Sequence, residues 1–139
     1  NENWDLLIAH PPCTFLCRNR SRLNKIQNLI PDNSLFMACL NADIPKICIE
    51  NPVPNKLSNL PKYTQIIQPY QFGHDHSKKT CLWLKNLPNL QPTKIIEYTY
   101  IVTPNGKRYT KGWYQTPRNS IDRSRTFKGI AEAMADQWG

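Results

Sequence analysis

Asp5-Leu6-Leu7-Ile8-Ala9-His10-Pro11-Pro12-Cys13 is a short apolar run that stops at two prolines and a cysteine. Four apolar residues in a row, bounded by polar sequence, predict a strand buried on both faces, as in the parallel sheet of an α/β protein. The prolines end the ladder and forbid an immediate helix, because proline has no N–H and pushes the preceding residue out of the helical region. Cys13 is therefore expected on a stiff loop at the carboxyl end of a sheet strand, where open α/β sheets bind ligands. Working outward, Pro45-Lys46-Ile47-Cys48-Ile49-Glu50-Asn51-Pro52-Val53-Pro54 repeats the design: apolar strand, polar group, proline. With a crossover helix between them the two strands are parallel neighbours, and Cys13 and Glu50 emerge at the same sheet edge.

Between these strands, residues 14–30 are polar and basic, with Leu23, Ile26 and Ile30 at helical spacing and Pro31 as a stop. A basic loop is expected there. Asp32 or Asn33 can cap a helix whose Leu35, Phe36, Cys39 and Leu40 form one apolar stripe belonging to the core. Further on, Thr64 to Pro69 and Thr80 to Leu84 read as strands around a Gln71-Phe72-Gly73 turn, which makes the sheet mixed. The polar connection His74 to Lys79 is free to face a ligand. Glu97 to Thr103 and Lys107 to Tyr114 flank Pro104-Asn105-Gly106 and predict a hairpin. Its return strand interleaves charges with aromatics, which suits either phosphate contact with base stacking or a sheet edge guarded by lysine. Phe127, Ile130, Met134 and Trp138 share one face of a terminal helix.

The 139 residues are about one domain, so 1–139 is read as a single unit with a basic hairpin at about 97–114. A formal net charge of +8 points to a polyanion, and nucleic acid is the commonest one. Five cysteines, two of them inside apolar strands, argue for reduced thiols rather than a disulfide framework. No run approaches membrane-spanning length and no signal peptide is visible, so a soluble intracellular protein without a membrane partner is expected. The first methionine is Met37, which suggests a processed or partial chain.

Cys13 is the leading nucleophile candidate, since a thiolate attacks soft electrophilic carbon, although a cysteine after two prolines can equally be structural. Glu50 suits a general acid or a hydrogen-bonding group to a ring nitrogen, or else a cap for the next turn. Zinc held by His10, Cys13, Cys17, His74 and His76 is chemically conceivable, but no Cys-x-x-Cys pair supports it and no metal is assigned.

Pro12-Cys13 after one strand, Glu50-Asn51 after the next, and Gln71-Phe72-Gly73 followed by Lys78-Lys79-Thr80-Cys81-Leu82-Trp83 resemble the DNA cytosine-5 methyltransferases, especially the small bacteriophage variants. Pro52 stands where that family has valine, Lys78 keeps one charge of its glutamine-x-arginine-x-arginine element, and Gly129-Ile130-Ala131 occupies the region of its last cofactor motif. The resemblance implies a partial Rossmann-like methyltransferase sheet, mixed but mainly parallel, flanked by helices, in a bacterial or phage-infected cytoplasm. It implies catalysis by Cys13, Glu50 and Lys78, with S-adenosylmethionine contacts at Pro11, Pro12 and Ala131. DNA contacts are implied at Arg18, Arg20, Lys78, Lys79, Lys107, Arg108 and Lys111. The implied reaction flips a cytosine out of double-stranded DNA, adds the Cys13 thiolate to C6 and methylates C5. The five glycines form no Gly-x-Gly, so the cofactor-cradling half is expected from the same gene product or a partner chain. Two alternatives stay open: an amino methyltransferase, loosely suggested by His10-Pro11-Pro12-Cys13, and a non-catalytic DNA-binding remnant.

Overall fold

A computed structural model describes residues 3–18 and 21–139. The chain divides into two compact units, Asn1–Ile66 with Lys79–Asn89, and Ile67–Lys78 with Leu90–Gly139. The first is built on a mixed sheet of strands β1 (Leu6–Ala9), β2 (Lys46–Pro52), β3 (Gln65–Ile67, its last residue counted with the second unit) and β4 (Thr80–Lys85), in the order β1-β2-β4-β3. β1 and β2 are parallel, with Ile8 opposite Cys48 and Ala9 opposite Ile49. β2 and β4 are antiparallel, with Glu50 opposite Leu82 and Asn51 opposite Cys81. The mixed α/β class is as expected, but the parallel component rests on β1 and β2 rather than dominating the sheet.

Ile47, Cys48 and Ile49 are fully buried, which is what an apolar run without alternation requires of an inner strand. Leu16, Phe36, Ile47, Ile49, Cys81 and Trp83 form the core on one sheet face, with Leu7 and Ala9 packed against it. Phe36 meets Trp83 edge to face at 4.9 Å, and the Trp83 indole N–H donates to the Pro61 carbonyl at 2.8 Å. Strand alternation then puts Ile8, His10, Cys48 and Glu50 on the opposite face.

Two short helices precede β2: α1 (Ser21–Ile26) and α2 (Ser34–Leu40). On α2 the expected stripe is corrected at one end. Phe36 is buried and Met37, Cys39 and Leu40 pack on the core, whereas Leu35, in the first turn, points off that stripe and is 57% exposed. Asp32 supplies the side-chain cap, accepting from Ser34 N–H, while the Asn33 amide donates to the Ser58 carbonyl. Ile26 and Ile30 are exposed, so their helical spacing buries nothing.

In the second unit, β5 (Tyr100–Val102) and β6 (Arg108–Thr110) form the expected hairpin, followed by α3 (Lys111–Gln115), α4 (Ser120–Ser124) and α5 (Lys128–Trp138). Its loop is a turn in which Gly106 N–H donates to Thr103 O, with Pro104 at the second position and Gly106 at φ +77°. Asn105-Gly106 therefore closes a three-residue loop rather than forming a two-residue one. The return strand ends at Thr110, earlier than expected: Gly112 N–H is taken by the Asp75 carbonyl at 3.0 Å, and 111–115 coil into α3. On α5, Ile130, Ala133, Met134 and Trp138 are buried, while Phe127 sits at the N-cap and leans on His74 and His76. Among the described residues, no helix is long and apolar enough to cross a membrane.

Candidate functional site

The loop that leaves β1 is held by asparagine side chains. Asn51 donates to the Pro11 carbonyl at 2.9 Å, Asn24 to Phe15 O at 2.8 Å, and Asn55 to both Phe15 O (2.8 Å) and Cys17 O (3.2 Å). Main-chain bonds complete the seam: Asn55 N–H to Leu16 O and Arg18 N–H to Val53 O, each 2.8 Å. Within the loop, Leu16 and Cys17 N–H both donate to Cys13 O, so the segment turns sharply behind the cysteine. All three asparagines are buried, and Asn24 Oδ1 and Asn51 Oδ1 have no hydrogen-bond partner among the described residues. Prolines cannot donate to a ladder, so a loop starting Pro11-Pro12 must be pinned through its carbonyls, which the asparagines do.

At the mouth of the same strands, His10 Nδ1 lies 3.4 Å from Glu50 Oε2, a charged pair only when the imidazole is protonated. The Glu50 side chain is 10% exposed and that of His10 46%. Sequence reading gives His10 as a possible metal ligand and as part of the loose amino-methyltransferase motif, not as a partner of Glu50; its place one residue past Ala9, opposite Glu50 in the parallel register, is the signal for this contact. Cys13 is half-buried. Among the described residues, none of the five cysteines is in a disulfide. Burial, then the Glu50 charge, pushes the Cys48 thiol up to about 12, and burial pushes Cys81 up to about 11. Those two thiols stay protonated near neutrality, which leaves Cys13, Cys17 and Cys39 as the accessible ones.

Lys78 belongs to the second unit, unlike Cys13 and Glu50. Its ammonium donates to the Arg123 carbonyl at 2.8 Å and lies 5.9 Å from the centre of the Phe127 ring. Gly129 N–H donates to His74 Nε2 at 3.0 Å, which puts the His74 proton on Nδ1. Among the described residues, no group of three or more His, Cys, Asp or Glu is placed to hold a metal ion.

Of the expected DNA contacts, Arg18 and Lys79 are exposed, and Arg20 lies outside the described residues. Lys107 and Arg108 stand on opposite faces of the hairpin. Arg108 lies over the Tyr100 ring at 3.8 Å, whereas Lys107 lines a hollow with Tyr109 on the other face. Lys111 has left the strand for α3, near the Asp75 carboxylate.

The expected cofactor contacts give no cradle. Pro11 is buried with its carbonyl committed to Asn51, Pro12 is exposed, and Ala131 is exposed on α5 in the second unit. None of the three carries a side-chain donor or acceptor for the nucleoside or amino-acid end of S-adenosylmethionine. Compared with protein-family models, curated proteins and solved structures, the chain matches none.

Proposed function

We propose that this chain activates cytosine in DNA through a cysteine adduct at C6, the first half of cytosine-5 methylation. The observation that carries this is the meeting of the two proline-flanked strand ends. β1 and β2 are parallel and in register, His10 touches Glu50, and Asn51 grips the Pro11 carbonyl, so Pro-Pro-Cys and Glu-Asn-Pro leave the sheet side by side. The sheet that carries them is mixed, in the order β1-β2-β4-β3 with β4 reversed against β2. β1 is also an edge of that sheet, able to receive a further strand from a cofactor-bearing half.

In this reading the Cys13 thiolate attacks C6 of a cytosine turned out of the duplex. The C5–C6 π pair moves toward C5 and is spread through C4 to N3, where Glu50 in its acid form donates a proton. C5 is then a nucleophile, and S-adenosylmethionine is the methyl donor implied for it. Without a donor, C5 takes a proton from water and gives up the original one to water; the N3 proton then returns to the Glu50 carboxylate as the C5–C6 double bond re-forms and the thiolate leaves, so the adduct reports itself by hydrogen exchange. DNA carrying tritium at cytosine C5 is expected to release it to water with the native chain and with Cys17→Ser, but not with Cys13→Ser or Glu50→Gln. Absence of release by the native chain on every duplex tried, or release that survives Cys13→Ser, overturns the proposal. An amino methyltransferase would be indifferent to Cys13.

A further inference from the structure

A hollow of about 410 Å³ opens on the hairpin, lined by Thr103, Asn105, Lys107, Tyr109, Tyr114 and Arg118 among others. We infer that it binds one unstacked nucleotide of a nucleic-acid strand, with the phosphate between Lys107 and Arg118 and the base against Tyr114. Volume, charge and aromatic lining converge. The volume is at the small end of the range for ligand sites, about 300–1,000 Å³. Its charge is unopposed: neither Lys107 nor Arg118 forms an ion pair among the described residues, and the lining contains no carboxylate. Between Tyr98 and Lys128 the chain carries seven Lys or Arg against one acid, Asp122. The walls are aromatic and braced, since Tyr109 stacks on Trp113 at 5.0 Å and 7°, and the Arg123 guanidinium lies over the Trp113 ring at 4.7 Å.

The geometry favours a splayed base over a duplex. Tyr114 is 46% exposed and lies 6.0 Å from Tyr109, tilted by 36°, so the two rings bound a wedge instead of closing on each other. A base in a duplex has both faces covered by its neighbours, whereas an unpaired one offers a face to such a ring. Thr103 Oγ1 and the Asn105 side chain, bonded to each other at the loop, add the polar edge that a phosphate or a base rim can use. Val102 lies opposite Arg108 in the ladder, so Arg108 occupies the other face of the hairpin and serves as an internal control.

The full chain is titrated into fluorescently labelled oligothymidylate, oligouridylate, a hairpin-free duplex and thymidine monophosphate, at several salt concentrations. Tighter binding of single strands than of duplex is expected. Tyr114→Ala should weaken single-strand binding about fivefold or more, the lower end for removal of one base stack. Replacing Lys107 and Arg118 together by alanine should reduce the salt slope by about 0.7 for each phosphate that is no longer neutralised. Arg108→Ala should change single-strand affinity less than either. The monophosphate arm separates a strand from a free nucleotide: competition by it at strand-like affinity, duplex preference, or indifference to Tyr114→Ala each overturns the inference. Cys13→Ser, which ends thiol chemistry in the reading above, should bind single strands as the native chain does, so the two proposals fail separately.

Discussion

Cys48 and Cys13 differ in burial: Cys48 is fully buried on β2, whereas Cys13 is half-buried on the loop after β1. Cys48 lies on an inner strand with the Glu50 charge two residues away on the same face, and its thiol is pushed up to about 12. Iodoacetamide at pH 8 should therefore leave Cys48 and Cys81 unmodified in the native chain and label Cys13; mass mapping that finds Cys48 labelled before unfolding contradicts the buried β2. Asn55 offers a second measurement, because one side chain holds Phe15 O and Cys17 O and also accepts from Ser58 N–H at 2.9 Å. Asn55→Ala leaves those buried groups unsatisfied, and a loss of about 1–3 kcal/mol in urea unfolding is expected. Faster labelling of Cys13 should accompany it as its loop loosens. The two strand-end motifs are legible from their proline punctuation. The asparagine grip is not, since Asn24 and Asn55 lie 9 and 38–40 residues from the carbonyls they bind and no local pattern encodes such a pairing.

At the scale of the element, sequence spacing identifies strands and helices well where one face is buried throughout, as in β2 and α5. It fails where a single backbone contact decides the geometry. The return strand of the hairpin continues in β-prone sequence through Trp113 and Tyr114, but the chain departs at Lys111 because the Gly112 backbone lies against Asp75. A Cβ on Gly112 would stand 2.1 Å from the Asp75 carbonyl oxygen, an approach that only glycine permits. Gly129 makes the same point in the first turn of α5, where the gain expected from alanine is at most the interior value. Alanine is about 1 kcal/mol better than glycine in a helix interior, so propensity alone expects Gly129→Ala to stabilise α5. The Phe72 carbonyl oxygen would be 2.2 Å from the new methyl and His74 Nε2 2.9 Å away. The expected outcome is thus reversed: a loss of about 1–3 kcal/mol, as for other overpacked sites, together with loss of the Gly129–His74 bond. Urea midpoints for native and Gly129→Ala chains decide the sign.

For the molecule as a whole, a net charge of +8 makes further protonation a burden, and the fold adds a specific site to that general effect. His76 is buried beside Phe127 in the second unit, and its pKa lies below the ordinary 6.5, first through burial and then through Lys78, His74 and Arg123; Asp75 alone opposes the shift. An imidazole held below its unfolded pKa takes up a proton more readily in the unfolded chain. Its contribution is fully present above pH 6.5 and is lost as the pH falls below that value toward the folded pKa. Asp75 is shifted downward by the Thr99 hydroxyl and then by Thr99 N–H, and its contribution starts to disappear only below 3.8. Asp32 behaves alike through Ser34. Between pH 8 and 5, then, His76 titrates with its pKa held low, and it lies beside the Lys78–Arg123 contact. The urea midpoint should fall steadily as the pH drops from 7 to 5, and His76→Gln should flatten that slope. Nuclear magnetic resonance should find His76 still neutral where an exposed histidine is half protonated. A midpoint that holds or rises on acidification would mean that His76 sits in water, and that the Phe127 contact organising this part of the second unit does not form.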